Sequence, residues 1–201
     1  MWLGLENLRS VAILSMLSRA IEARDPYTRG HSTRVTALAE LVALRLGWGE
    51  DRLKSLRVGG RLHDIGKLAV PDAVLCKEGR LEDDELAQIQ EHPKAGARLI
   101  RRIGTLRSAI PYVLYHHERW DGTGYPSGRA GKEIPVEARI LAVADAFDAM
   151  TSDRPYRRAL THDEALSEVE RCAGTQFDPE IARVFLELFG EAEELRMAAT
   201  S

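Results

Sequence analysis

Residues 31–47, HSTRVTALAELVALRLG, carry the pattern that decides the class of fold. Val35, Leu38, Leu41, Val42 and Leu46 recur at the intervals of one helix face, and Gly47 stands where such a helix stops. Upstream, Leu5, Leu8, Val11, Ile13 and Leu17 predict a first helix over about residues 2–22. Downstream, the same rhythm predicts helices near 51–62, 83–91, 95–103, 110–117, 136–150, 163–172 and 179–189. Thr161 with Glu164 matches a capping box, and Asp178 followed by Pro179 places a cap and a first-turn proline in order. No run alternates apolar and polar residues as a half-buried strand would. The expected fold class is all-α.

A chain of 201 residues can build one sizeable core. With 28 basic and 31 acidic residues, the net charge of −3 leaves no basic footprint for a nucleic acid. An anionic substrate must then be met by local cations and metals, because the overall field does not attract it. The two cysteines, Cys76 and Cys172, cannot frame a disulfide scaffold and read as reduced thiols of a cytoplasmic protein. The N-terminal segment has no basic leader region or cleavage motif, and Glu6, Arg9 and Arg19 interrupt it. No stretch approaches the roughly 18 uncharged apolar residues of a membrane span.

Two loops are expected between helices. The first, residues 68–81, holds Pro71 and Gly79. The second, residues 121–135, holds Gly122, Gly124, Pro126, Gly128, Gly131 and Pro135 and cannot be helical. It follows the pair His116 and His117 directly, and a long glycine-rich loop beside such a pair is more often functional than a spacer.

Five of the six histidines join carboxylates in a recurring series: His31, His63 with Asp64, His92, His116 with His117, then Asp145. A lone histidine most often caps a helix or satisfies a polar core. A series at steps of roughly 25 to 30 residues, about one helical hairpin each, is better read as one site assembled from several helices. Neutral imidazole and ionised carboxylate are ligands for divalent metals, and without thiolate they suit iron, manganese, zinc or nickel better than magnesium. Neighbours on a helix point about 100° apart, so two adjacent pairs imply either two ions or placement at helix ends. Asp64 has two oxygens and could bridge ions roughly 3.5–4 Å apart, the arrangement of two-metal hydrolases. Lys67, one turn beyond His63, could neutralise charge on a transferring phosphate. Cys76 and Cys172 lie outside the series, and His162 reads as a solvated first-turn residue.

The strings DPYTRGHSTRV (25–35), LHDIGK (62–67), EHPKAG (91–96), HHERWDGTGYP (116–126) and ILAVADAFDAMTSDRPYR (140–157) resemble the HD-GYP domain family. These are bacterial phosphodiesterases that degrade cyclic di-GMP, within the HD superfamily of metal-dependent phosphohydrolases. The resemblance spans about residues 10–190 and implies an HD-superfamily helical bundle with a glycine-rich GYP loop. It implies that His31, His63, Asp64 and Asp145 bind one metal. Asp64, His92, His116 and His117 would hold a second, with Asp64 bridging. The ions implied are iron or manganese. Lys67 would contact the scissile phosphate, Arg154 and Arg157 would grip substrate phosphates, and Tyr125 would lie near the bound dinucleotide. Asp25 is a further substrate-contact candidate. Some family members hold a third metal through a carboxylate where this chain has Tyr27, a poor ligand while protonated, so two ions are expected.

The activity implied is hydrolysis of cyclic di-GMP to pGpG, and the sequence leaves open whether cleavage continues to GMP. The alternatives are hydrolysis of another cyclic dinucleotide, such as cyclic GMP-AMP, and a non-catalytic dinucleotide-sensing or partner-docking module. A diguanylate-cyclase-type protein could dock on the GYP loop. Residues 23–195 are taken as the catalytic domain, and residues 1–22 as a linker or dimerisation helix; exposure of Trp2, Leu5 and Leu8 would favour a homodimer. The sequence leaves open whether the enzyme stands alone or is part of a longer protein. Gly122, Gly124 and Pro126 either shape their loop or offer backbone to a ligand, and Asp121 caps or orients it. Asp148 shares a helix face with Asp145 and could orient a metal ligand. Arg34 could pair with a phosphate or a neighbouring carboxylate.

Overall fold

The computed structural model describes residues 16–17, 20, 23–24, 30–77, 79–153 and 158–199, with side chains described to residue 190. The expected first helix lies outside them except at residues 16, 17 and 20, and Trp2, Leu5 and Leu8 fall outside with it. So do Asp25, Tyr27, Arg154 and Arg157.

The described chain runs α1 (His31–Arg45), α2 (Glu50–Leu62), α3 (Asp72–Leu75), α4 (Asp83–Gln90), α5 (His92–Arg101), α6 (Ile110–Tyr115), α7 (Val136–Thr151), α8 (His162–Arg171) and α9 (Pro179–Ala199). Short 3-10 turns lie at Ile65–Ala69, Gly104–Ala109 and Gly131–Glu133. Among the described residues there is no strand, only isolated bridges between Asp121 and Ala130 and between Ala173 and Phe177. The fold is all-α.

Local chemistry sets the helix ends. Gly47 takes φ of +77°, which a side chain would resist, and so ends α1. Thr161 and Glu164 form the reciprocal capping box at α8, and Asp178 Oδ1 accepts the Glu180 and Ile181 N–H groups at the start of α9. Glu82 and Glu85 make a second capping box at α4 that the sequence pattern did not reveal.

Three expectations needed correction. Helix α5 begins at His92, not 95, because Pro93 in the first turn gives up a donor that has no intrahelical partner there. Helix α6 stops at Tyr115, leaving His116 and His117 just past its end. The expected loop 68–81 contains α3, and the loop 121–135 is non-helical apart from its single 3-10 turn.

Helix α1 packs against α2 and α7, and α9 against α8. The larger hydrophobic cluster includes Val35, Leu56, Ile140, Phe147, Val169 and Phe185, all buried. A smaller one gathers Leu62, Ile65, Ile100, Leu106 and Val113. Each fully buried aliphatic side chain contributes roughly 1.5–3 kcal/mol. Asp145 follows Ala144 of the large cluster and His31 lies one turn before its Val35, while His63 and Asp64 sit between Leu62 and Ile65 of the small one and His116 lies three residues after its Val113, so the histidines collect along the seam.

Glycines let the backbones meet at that seam. A Cβ on Gly60 would lie 2.6 Å from Thr36 Oγ1 of α1. A Cβ on Gly66 would lie 1.8 Å from the His92 carbonyl oxygen and 2.6 Å from the Gly96 nitrogen, which is backbone that cannot swing aside. Gly66→Ala is therefore expected to cost about 3 kcal/mol or more, lowering Tm by roughly 6–12 °C in a chain of this size. Gly104, with nothing within 4 Å, supplies the control. Gly104→Ala should stay within about 0.5 kcal/mol of the parent in the same thermal unfolding experiment.

Candidate metal centre

Three histidines sit at helix ends, where the last carbonyls of a helix lack intrahelical partners. His63 follows α2 and its Nδ1–H donates to the Gly60 carbonyl at 2.7 Å. His116 follows α6 and donates to the Val113 carbonyl at 3.1 Å. His92 opens α5 and donates to the Ile89 carbonyl of α4 at 2.8 Å. A carbonyl can only accept, so in the neutral imidazole each bond places the ring proton on Nδ1 and leaves the lone pair on Nε2.

Those lone pairs converge on Asp64. His92 Nε2 is 3.2 Å and His116 Nε2 3.9 Å from Asp64 Oδ1. His63 Nε2 is 3.5 Å and Lys67 Nζ 2.7 Å from Asp64 Oδ2. The two oxygens thus face different neighbours, as a bridging carboxylate requires. His31 joins from α1, its Nε2 3.1 Å from Asp145 Oδ1 of α7 and its Nδ1 2.7 Å from Asp148 Oδ2. Asp148 is gripped in turn by Arg34, Nε to Oδ1 at 2.5 Å and Nη2 to Oδ2 at 3.0 Å. Arg34 therefore pairs with a carboxylate, and Asp148 orients His31.

The donor atoms form two groups, each within 4.8 Å: Asp64 with His92, His116 and His117, and His31 with His63 and Asp145. The series read from sequence is brought together whole. Burial opposes the charge on Asp64, yet the ammonium of Lys67 beside it holds its carboxyl well below the ordinary range. Asp145 is likewise lowered despite burial, chiefly by its hydrogen bond to His31. Burial, with the neighbouring imidazoles, keeps His116 well below its usual range, and burial brings His117 down to about 4. Ionised carboxylates and neutral imidazoles are the forms that ligate metals.

The donor set fits divalent ions. His63 Nε2 is fully buried without a hydrogen-bond partner among the described residues, and it faces the acceptors Asp64 and Asp145. A lone pair aimed at ionised oxygens is repulsive unless a cation lies between them. His31 tells the same story in another way. Burial disfavours its charge, but the hydrogen bonds to Asp145 and Asp148 prevail and push it up to about 10, so a proton takes the cation's place.

The remaining candidates are placed as follows. Tyr125 stacks on His117 with centroids 4.7 Å apart. Asp121 orients its loop by accepting from the Thr123 amide and hydroxyl, and those bonds bring its carboxyl down to about 2. A Cβ on Gly124 would fall 2.3 Å from the Arg119 nitrogen, so that glycine shapes the loop. His162 is exposed, with its ring edge against Phe147, and Cys76 and Cys172 stay outside both groups. Sequence reasoning missed Glu118, a buried carboxylate whose only signal was a charge placed between the histidine pair and the loop.

Because His31 must lose its proton to become a ligand, filling its group should release close to one proton per ion at pH 8. Affinity there should rise with pH about tenfold per unit until about pH 10, where the imidazole is already neutral. Isothermal titration of manganese(II) in buffers of different ionisation heat reads the proton directly.

The profile of the HD domain matches residues 15–181. The cyclic di-GMP phosphodiesterase response regulator RpfG of Xanthomonas campestris is 42% identical over 189 residues, 90% of this chain and 49% of that protein. A cyclic di-GMP phosphodiesterase of Thermotoga maritima is 38% identical over 185 residues, 91% of this chain and 50% of its own length. The 3'3'-cGAMP-specific phosphodiesterase 3 of Vibrio cholerae is 37% identical over 178 residues, 89% of this chain and 39% of that protein. The chain spans about half the length, or less, of these curated relatives. Among solved structures, the cyclic GMP-AMP phosphodiesterase V-cGAP3 of V. cholerae aligns with TM-score 0.71 at 20% identity, over 91% of this chain and 49% of that one, a likeness of fold. With the profile covering most of its length, the chain belongs to the HD domain family.

Proposed function

We propose that the chain is the catalytic domain of a metal-dependent phosphodiesterase that opens cyclic di-GMP to pGpG, whether or not cleavage continues to GMP. The observation that supports this best is the pair of His/Asp donor groups meeting at Asp64, with imidazole lone pairs turned toward ionised carboxylates. Residues 23–195 form the domain in this reading, and residues 1–22 a helix that links it to another unit or pairs two copies. His31, His63, Asp64 and Asp145 would hold one divalent ion and Asp64, His92, His116 and His117 the other, iron or manganese by the resemblance to HD-GYP enzymes. Bound there, such ions would supply Lewis-acid polarisation of phosphoryl oxygens and a water acidic enough to ionise at neutral pH.

The chain's own residues do the rest. Asp64 bridges the two groups, and Lys67, 2.7 Å from its Oδ2, offers positive charge to the transferring phosphate. Arg154 and Arg157 grip the substrate phosphates through the planar fork that suits them. Asp25 and Tyr125 complete the substrate contacts, Tyr125 beside His117 at the rim of the histidine cluster. A diguanylate-cyclase-type partner docking on the GYP loop is compatible with turnover.

A second substrate reading rests on the V. cholerae relatives named for 3'3'-cGAMP, whose identity to the chain is close to that of the cyclic di-GMP enzymes. The donor set does not distinguish guanine from adenine, so hydrolysis assays with both dinucleotides in competition decide between them. Retention of every ligand counts against a purely sensing role.

Anaerobically purified protein should carry about two iron or manganese ions per chain and release pGpG from cyclic di-GMP. Two ions without turnover of either dinucleotide would sink the enzymatic reading. Asp64→Ala should lose more than about 10²-fold in kcat together with bound metal, whereas Lys67→Met should lose a similar factor in kcat and keep its metal. Elemental analysis and turnover on the same samples separate the two behaviours.

A further inference from the structure

Four of the five clustered histidines have a ring nitrogen held from outside the cluster: His31 by Asp148, and His63, His92 and His116 by backbone carbonyls. His117 differs. Among the described residues no hydrogen bond reaches its ring. It lies against Tyr125 instead, centroids 4.7 Å apart and planes inclined by 27°. A ligating imidazole must present its lone pair at a set angle, and elsewhere in this cluster a hydrogen bond sets it. Here an aromatic face takes that place.

Tyr125 can hold the ring only if its own loop is held. Its N–H donates to the His117 carbonyl at 3.1 Å, which ties the loop to the backbone of the residue it covers. Beneath the turn, buried Glu118 holds the segment that follows Pro126. Its Oε1 accepts the Ser127 N–H at 2.7 Å and its Oε2 the Arg129 N–H at 3.0 Å. Bonds to an ionised acceptor are roughly twice as strong as neutral ones, so the two form a firm fastening. Gly124 completes it by leaving no atom where a Cβ would strike Arg119 N and His117 O, 2.3 and 2.6 Å away.

We infer that Glu118 and Tyr125 are positioning residues for His117: Glu118 fastens the GYP loop, and the loop sets the ring plane of His117 through the Tyr125 stack. The loop thereby tunes the affinity of one ion group and leaves the other untouched. This deepens the reading of Asp64, His92, His116 and His117 as an ion site and rests on it. In the second group the ring of His117 touches the imidazoles of His116 and His92, at centroid distances of 4.1 and 5.1 Å, and Tyr125 is the contact from outside the cluster, whereas the His31 group is held by Asp148 and Gly60.

The test counts manganese(II) by electron paramagnetic resonance of the free ion, in two backgrounds. His31→Ala leaves the second group alone, and His92→Ala leaves the first. Tyr125→Leu and Glu118→Gln should each weaken binding about 10–100-fold in the His31→Ala background and leave it unchanged in the His92→Ala background. Tyr125→Phe, which keeps the ring, should restore wild-type affinity. Hydrogen exchange should show the Ser127 and Arg129 amides opening faster in Glu118→Gln but not in Tyr125→Leu. Equal affinities in all variants, with helicity intact by circular dichroism, would overturn the inference, as would an equal loss in both backgrounds. Parent protein that binds no ion in the His31→Ala background would remove the ion-site reading itself.

Discussion

Each of His63, His92 and His116 gives its Nδ1 proton to a carbonyl at the end of a helix, and the rest of the seam is arranged around those bonds. The bond satisfies an orphaned acceptor and, by fixing the tautomer, turns a lone pair inward. Three such lone pairs around an ionised Asp64 make a concentration of acceptors that the fold must hold against its own repulsion. A buried acceptor left unpaired costs about 1–3 kcal/mol, and His63 Nε2 is one in the protein alone. The two hydrophobic clusters on either side offset that cost, and a divalent cation would remove it.

The seam also explains the glycines. Asp64 and His92 come within 3.2 Å because Gly66 lets the turn after Asp64 lie directly on the backbone of α5. Thr36 likewise sits against Gly60, which brings α1, and with it His31, to the end of α2. Close backbone approach and close ligand approach are one constraint here. The part of α2 that offers the Gly60 carbonyl to His63 is also the part that has no side chain facing α1.

The five imidazoles are oriented in three ways: by carbonyls, by the Asp148 carboxylate, and by an aromatic ring. Carbonyl bonds come from local helix geometry and involve residues three positions apart. The His31 to Asp148 bond spans 117 positions and needs α1 and α7 packed face to face, with Arg34 neutralising the carboxylate. The stack on His117 needs a loop that returns on itself through Glu118. The more distant the support, the more a ligand's orientation depends on tertiary packing.

The all-α class, most helix positions, the Thr161 box, the Asp178 cap and the series of histidines and carboxylates that the fold gathers were legible in the sequence, because periodicity and residue chemistry are local properties. The helix starting at His92 was misplaced since Pro93 reads as a breaker until its first-turn position is seen. Arg34 stood open between a phosphate and a carboxylate, and Asp148 was a candidate by face alone. Glu118 passed unnoticed, because a lone acid in a polar stretch looks solvated. Sequence by itself determined which atoms could ligate, since donor type is written in the side chains. Only the tertiary structure decided which lone pairs meet at which oxygen of Asp64, because that depends on backbones packed to contact distance and on hydrogen bonds closed across the fold.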